Sequence, residues 1–168
     1  AKWSDGKPIT AQQFVDSWLR MISPEMAAVY AYLPAMVLKG AGAFNAGEAD
    51  ASTVGIRALD DHTFQFDLVG PAPYVLGMLS HYSFAVVPLH TIEKFGEDWT
   101  KPGNIVSNGP YVLKEWLPHD KIVMVKNEMY WDKENVKLDE VVVLPIDDFN
   151  TSVTMYEQGE IDWIEEVP

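Results

Sequence analysis

The sequence predicts a mixed α/β fold of the α+β kind, in which helices and short strands alternate along the chain. Three observations carry this prediction. Apolar residues recur at spacings of three and four in some segments, which is the period of an amphipathic helix. In other segments they alternate with polar residues, which is the period of a half-buried strand. The 168 residues are 48% hydrophobic and 22% charged, a composition typical of a globular protein.

The first predicted helix begins at Thr10 and continues to Ile22. Thr10 stands three residues before Gln13, which is the spacing of a capping box. A serine–proline pair ends this helix and begins a second one over 24–38. Pro34 lies inside the second pattern and should kink or end it, because proline lacks the amide hydrogen that a helix interior uses.

Strand-like alternation begins after a loop over 39–53 that contains a short helical piece. Residues 54–68 predict a β-hairpin with its turn at 60–62. A short helix is predicted over 73–80.

The middle of the chain contains the best candidate for a boundary between two parts. An apolar run over 84–87 meets Pro88, so we place the boundary near 85–90. A short helix over 90–95 and an irregular stretch over 97–110 follow.

The last third predicts a second hairpin over 111–126 and two further strands. Residues 141–144 form a continuous apolar run, which is typical of a strand buried on both faces. Residues 161–164 predict the start of another strand, so we expect the chain to be a piece of a longer protein.

A helix is predicted between these two strands, over 149–158. Asp147 or Asp148 can cap its first turn. Tyr156 is expected to face inward, and Gly159 is expected to end the helix in the left-handed conformation.

Composition excludes several functions. The chain has 12 basic and 25 acidic residues, a net charge of −13, which argues against binding to nucleic acid or to anionic membranes. It has no cysteine, which excludes disulfides and thiolate chemistry. No apolar run approaches the roughly 18 residues that a membrane-spanning helix needs.

Catalytic and metal-binding patterns are weak. The four histidines do not stand at metal-ligand spacing, and no serine lies in a Gly-x-Ser-x-Gly setting. Several paired carboxylates and a 12% aromatic content leave a carbohydrate hydrolase as the enzyme alternative. Turn formation and helix capping account for the best of these carboxylate pairs, so we predict no catalysis, no cofactor and no metal.

Short strings spaced along nearly the whole chain point to one family. They are Lys2–Val15, Ala58–Phe64, Pro71–Tyr74, Val87–Pro88, Asn104–Tyr111, Tyr130–Asp132, Leu144–Ile146 and Gly159–Asp162. In this order they resemble segments of bacterial oligopeptide-binding proteins, the extracytoplasmic receptors of peptide ABC importers. The chain corresponds to about a third of a full-length member of that family, a length consistent with part of a two-lobed protein.

The resemblance implies a periplasmic-binding-protein-like flytrap, of which this chain would form parts of two lobes. Residues 1–88 would belong to the smaller extra lobe, and residues 89–168 to the large ligand-binding lobe. The implied function is uptake of oligopeptides, held in extended form between the lobes by main-chain hydrogen bonds. A dipeptide, murein peptide, nickel chelate or sugar remains an alternative ligand for the same fold.

The resemblance also implies partners and a location. The full-length protein would be a monomer that delivers its oligopeptide to the membrane permease subunits of an ABC importer. It would be periplasmic, or a lipoprotein anchored outside the cytoplasm, with its signal segment outside this chain.

Five residues are candidates for ligand contact on the basis of the resemblance. A tyrosine of the family that reaches the bound peptide matches Tyr30, with Tyr32 as the competing match. A segment that lines a side-chain pocket matches Ile164, Glu165 and Glu166. The two carboxylates depart from the family's pattern and would favour peptides with basic side chains or an N-terminal amine.

Overall fold

The mixed α+β prediction is confirmed: a computed structural model, which describes residues 1–165, contains two separate antiparallel sheets. The first sheet pairs β1 (Ile56–Asp60) with β2 (Thr63–Phe66). The second has the order β3 (Tyr111–Leu117), β4 (Lys121–Lys126) and β5 (Glu140–Val143). Both predicted hairpins are therefore present, and they lie in different sheets.

Six α-helices accompany the sheets in the part of the chain that the structure describes. They are α1 (Ala11–Ile22), α2 (Tyr32–Val37), α3 (Ala41–Asn45), α4 (Val75–Met78), α5 (Leu89–Phe95) and α6 (Phe149–Glu157). Short 3₁₀ turns fill several of the connections, including Pro24–Met26 and Tyr82–Phe84.

The apolar core lies between α1 and the first sheet, and its buried members all come from residues 15–84. Trp18 of α1 is its centre. Its ring meets Phe64 edge-on at 4.8 Å and Phe84 at 5.2 Å. Its indole N–H donates to the Phe84 carbonyl oxygen at 3.0 Å, so the buried polar atom is satisfied. This core fixes α1 and the segment around Phe84 relative to each other.

The predicted second helix over 24–38 is wrong. The chain makes a 3₁₀ turn, Pro24–Met26, and then Ala27 adopts a left-handed conformation with φ 46°, which breaks the helix. Only Tyr32–Val37 is α-helical. Pro34 neither kinks nor ends this helix, because it lies in the first turn, where amide hydrogens have no helical partner.

The predicted capping box at the start of α1 does not form. Thr10 makes no side-chain cap, and the Gln13 side chain instead accepts a hydrogen bond from the indole N–H of Trp3 at 3.0 Å. Trp3 is only 1% exposed, so its N–H requires an acceptor inside the protein. Because Gln13 accepts the hydrogen bond of the buried Trp3 indole, its side chain does not take part in a capping box with Thr10.

An N-terminal turn (residues 2–8) contacts residues on both sides of Pro88. Through Trp3 it bonds to α1. Ser4 donates its backbone N–H to the Ser107 carbonyl oxygen at 2.8 Å, and its hydroxyl accepts the Ser107 N–H at 3.1 Å. Asp5 lies 2.8 Å from the Nε2 atom of His90, at the start of α5.

The expectation that the strand near 141–144 is buried on both faces is wrong. β5 is an edge strand that pairs only with β4 in the described part of the chain. Val142 and Val143 remain 49% and 43% exposed. An apolar run does not reveal whether a strand is central or at an edge, so the sequence could not distinguish these cases.

Both ends of α6 follow their sequence signals. Asp148 caps the helix by accepting the Thr151 N–H at 2.7 Å. Gly159 has φ 74°, and the Glu160 N–H donates to the Met155 carbonyl oxygen at 2.8 Å, which completes a Schellman motif. Tyr156, however, is 50% exposed rather than inward, and 161–164 form no strand, so both of those predictions are wrong.

Candidate ligand-binding site

Four aromatic side chains gather on the surface beside the first sheet and form what we call the aromatic cluster: Tyr30, Tyr32, His81 and Tyr82. The ring centre of Tyr30 lies 6.1 Å from that of Tyr32, 5.0 Å from His81 and 5.5 Å from Tyr82. Tyr32 and Tyr82 are 53% and 67% exposed. These rings pack on one another and still present large faces to solvent.

Backbone turns hold Tyr30 in place. The left-handed Ala27 directs the chain into a turn that is closed by the Ala31 N–H on the Ala28 carbonyl oxygen at 3.0 Å. The Leu33 N–H then donates to the Tyr30 carbonyl oxygen at 3.1 Å and leads into α2. Tyr30 is therefore fixed by backbone bonds on both sides, while its ring remains half-exposed.

His81 and Tyr82 are positioned by the core beneath them. The Nδ1 atom of His81 accepts the Ser83 N–H at 3.3 Å and caps the 3₁₀ turn that ends in the buried Phe84. This bond assigns the ring hydrogen of neutral His81 to Nε2, on the outer side of the ring. The Tyr82 ring stacks on His81 with centres 4.2 Å apart.

A cleft of about 700 Å³ adjoins the aromatic cluster. Its lining contains no acidic residue, lysine or arginine; the lining residues are Leu33, Tyr74, Gly77, Met78, Ser80, His81 and Tyr82. A wall of this kind favours an apolar or aromatic group of a ligand, oriented by a few hydroxyl and imidazole donors. We call it the apolar cleft.

The phenol of Tyr82 is a hydrogen-bond donor at neutral pH. Hydrogen bonding with the neighbouring Tyr30 side chain raises the pKa of Tyr82 above its ordinary value. Tyr82 therefore keeps its proton in the physiological range. An uncharged phenol can donate to a main-chain carbonyl oxygen or a carboxylate.

Of the predicted contact residues that the structure describes, Tyr30 and Tyr32 lie together, and Ile164 and Glu165 lie apart from them. Ile164 is half-buried and Glu165 is exposed, in an irregular segment after α6. No hydrogen bond, ring contact or cleft between residues 1 and 165 joins these two to the tyrosines. Glu166 lies outside the described residues.

Sequence reasoning missed Tyr74, His81 and Tyr82 as site residues. Tyr74 was assigned to a helix over 73–80, but α4 covers only Val75–Met78 and Tyr74 is 56% exposed. His81 and Tyr82 follow that helix in a stretch without periodicity. For His81 and Tyr82, the available signal was that these aromatic residues fit neither a helical nor a strand period.

The sequence of the chain matches one class of protein over its whole length. The family model for bacterial extracellular solute-binding proteins, family 5, matches residues 1–168. The chain belongs to this family.

Individual relatives of this chain also belong to peptide-binding proteins of this kind by name. The periplasmic oligopeptide-binding protein OppA of Salmonella typhimurium is 45% identical over 163 residues, which are 96% of this chain and 30% of that protein. The periplasmic murein peptide-binding protein MppA of Escherichia coli is 38% identical over 169 residues, with 100% and 31% covered. The chain thus spans about 30% of the length of these curated relatives.

Solved structures confirm the fold. The OppA structure of Burkholderia pseudomallei superposes with a TM-score of 0.95 at 38% identity, over 100% of this chain and 33% of that one. Haemophilus influenzae OppA in complex with RPPGFSPFR gives a TM-score of 0.91 at 34% identity, over 96% and 32%. The chain is therefore part of a periplasmic-binding-protein-like flytrap fold.

Proposed function

We propose that this chain is one part of a two-lobed receptor that binds oligopeptides in extended form and takes part in no catalysis. Residues 1–88 form part of the smaller extra lobe, and residues 89–168 form part of the large ligand-binding lobe. The receptor works as a monomer outside the cytoplasm, free in the periplasm or anchored as a lipoprotein, and delivers its ligand to the permease subunits of an ABC importer.

The observation that carries this proposal is the aromatic cluster beside the apolar cleft. Contiguous exposed rings are uncommon on the surface of a protein without a partner and are typical of a binding surface. Tyr30, which the family resemblance matches to a peptide-contacting tyrosine with Tyr32 as the competing match, is at the centre of this cluster. Its phenol and that of Tyr82 can donate to the main-chain carbonyl oxygens that every peptide presents.

The relatives support peptides over other solutes. Relatives named for oligopeptides, for murein peptides and for dipeptides all match most of this chain. One relative at 39% identity is named as a probable deoxycholate-binding protein of E. coli, so the same fold also accommodates other solutes. Binding through the peptide main chain gives affinity without reading most side chains, which suits a receptor for uptake.

Calorimetric titration of the full-length receptor tests this proposal. We expect tri- to pentapeptides to bind, and we expect Tyr30→Ala to weaken their binding about tenfold, since a lost aromatic contact is worth about 1.5 kcal/mol. Tyr156→Ala, which removes another exposed phenol, on α6, serves as the control and should leave affinity unchanged. Saturable binding of deoxycholate or a nickel chelate with no peptide binding would overturn the proposal.

A further inference from the structure

A second cleft, of about 250 Å³, is lined by residues that include Tyr30 and Tyr82. It is formed by the last turns of α1, the turn before α2, and the segment from Tyr82 to Val87. Arg20 is the one charged residue in its lining, so we call it the Arg20 cleft. Tyr82 lines both this cleft and the apolar cleft, so the two are neighbours along one surface.

Arg20 differs from the other arginine of the chain. The guanidinium of Arg57 lies 3.0 Å from the carboxylate of Asp67 and forms a salt bridge. Within residues 1–165, Arg20 forms no salt bridge and its side chain makes no hydrogen bond, although it is half-buried. In a protein with a net charge of −13, a half-buried arginine without a carboxylate partner indicates a place for an anion from elsewhere.

The wall of the Arg20 cleft also contains hydroxyl groups. Ser83 is 8% exposed, and its Oγ atom is buried without a hydrogen-bond partner in the described part of the chain. A buried hydroxyl without a partner carries a free-energy cost that a ligand acceptor would remove. Ser17 accepts the Val87 N–H at 3.0 Å through its Oγ atom, which leaves its own hydroxyl hydrogen to donate.

We propose that the Arg20 cleft binds a carboxylate of the peptide ligand, through the guanidinium of Arg20 and the hydroxyl of Ser83. This inference rests on the function proposed above. Tyr30 and Tyr82 also line this cleft and add phenol groups to its wall, and Tyr82 is shared with the apolar cleft. The two clefts together select a peptide in which an acidic group lies close to an apolar side chain. The carboxylate comes from an acidic side chain or from the peptide's C-terminus.

Calorimetry on the full-length receptor with four related peptides tests the inference. The peptides are identical except at one position, which is Glu or Gln, and at the C-terminus, which is either free or amidated. We expect the wild type to prefer the peptides with the recognised carboxylate, and Arg20→Gln to remove about tenfold of affinity from those peptides alone. The preference should shrink as salt is added. Dependence on Glu assigns the acidic side chain, and dependence on the free C-terminus assigns the terminal carboxylate.

Further variants make the result specific. Arg20→Lys should keep part of the preference, because it retains the charge but loses the forked geometry of the guanidinium. Ser83→Ala should weaken binding of the same peptides a few-fold. Arg57→Gln is the matched control and should change none of the four affinities.

Two failures are distinguishable. If the wild type binds all four peptides and Arg20→Gln leaves the ratios of their affinities unchanged, the inference is wrong. The same holds if Arg20→Gln lowers the melting temperature without changing these ratios. If the wild type binds no peptide at all, the proposed function fails and the inference fails with it.

Discussion

Asp5 shows how a single residue of an apparently ordinary turn links distant parts of the chain. Partial burial raises its pKa, but the Lys7 amide and the His90 ring hydrogen-bond to its carboxylate and hold the pKa below its ordinary value. Lys7 also lies 3.7 Å away and adds to the effect. The sequence alone does not reveal this pairing, because His90 is 85 positions further along the chain.

The depressed pKa of Asp5 makes the stability of the fold depend on pH. Because the folded-state pKa is lower than the unfolded one, the contribution of Asp5 is present above about pH 4 and is lost as the pH falls through the folded pKa. We expect Asp5→Asn to lower the free energy of unfolding at pH 6 and to have a shrinking effect below pH 4. Urea unfolding between pH 7 and pH 2.5 measures this.

Asp120→Asn is the control for this experiment, since Asp120 is exposed in the turn between β3 and β4. It should leave the difference from wild type small at every pH. A constant deficit for Asp5→Asn down to pH 2.5 would contradict the assigned role of its charge.

At the scale of elements, the sequence predicted the helices and strands that depend on local periodicity. It missed features that depend on contacts between residues far apart in the sequence. The predicted strands of the second hairpin coincide with β3 and β4, because apolar and polar residues alternate on both sides of a short turn. The second helix failed because the left-handed Ala27 has no sequence signature. The aromatic cluster could not be assembled either, since Tyr30 and Tyr82 meet only through the tertiary fold.

Asn127 connects β4 to the loops on either side of it. It is 2% exposed, donates its side-chain amide to the Gly109 carbonyl oxygen at 2.8 Å, and accepts the Met129 N–H at 3.0 Å. We expect Asn127→Ala to lower the free energy of unfolding by about 2 kcal/mol, because buried polar groups lose their partners. Chemical denaturation of the full-length receptor measures it.

Asn135→Ala is the matched control, because Asn135 is exposed and, within residues 1–165, its side-chain amide bonds only to the nearby Asp132 carboxylate at 2.7 Å. Its effect should stay within about 0.5 kcal/mol. Equal effects of the two substitutions would show that the buried amide does not hold these loops.

At the scale of the whole molecule, the chain contains two sheets whose surroundings differ. The first sheet packs against α1 in a core drawn from residues 15–84, whereas β5 leaves Val142 and Val143 partly exposed in the second. The N-terminal turn contacts both regions. This arrangement supports our assignment of 1–88 and 89–168 to two lobes, with the ligand reached by the aromatic cluster of the first.

Photo-crosslinking tests most directly whether the aromatic cluster touches the peptide. A pentapeptide that carries a photoreactive phenylalanine is bound to the full-length receptor, irradiated, and the attached residues are mapped by mass spectrometry. We predict attachment within residues 28–33 and 74–83, suppressed by an excess of unlabelled peptide. Attachment that is suppressed in the same way but lies entirely outside these two segments would contradict the placement of the ligand at this cluster.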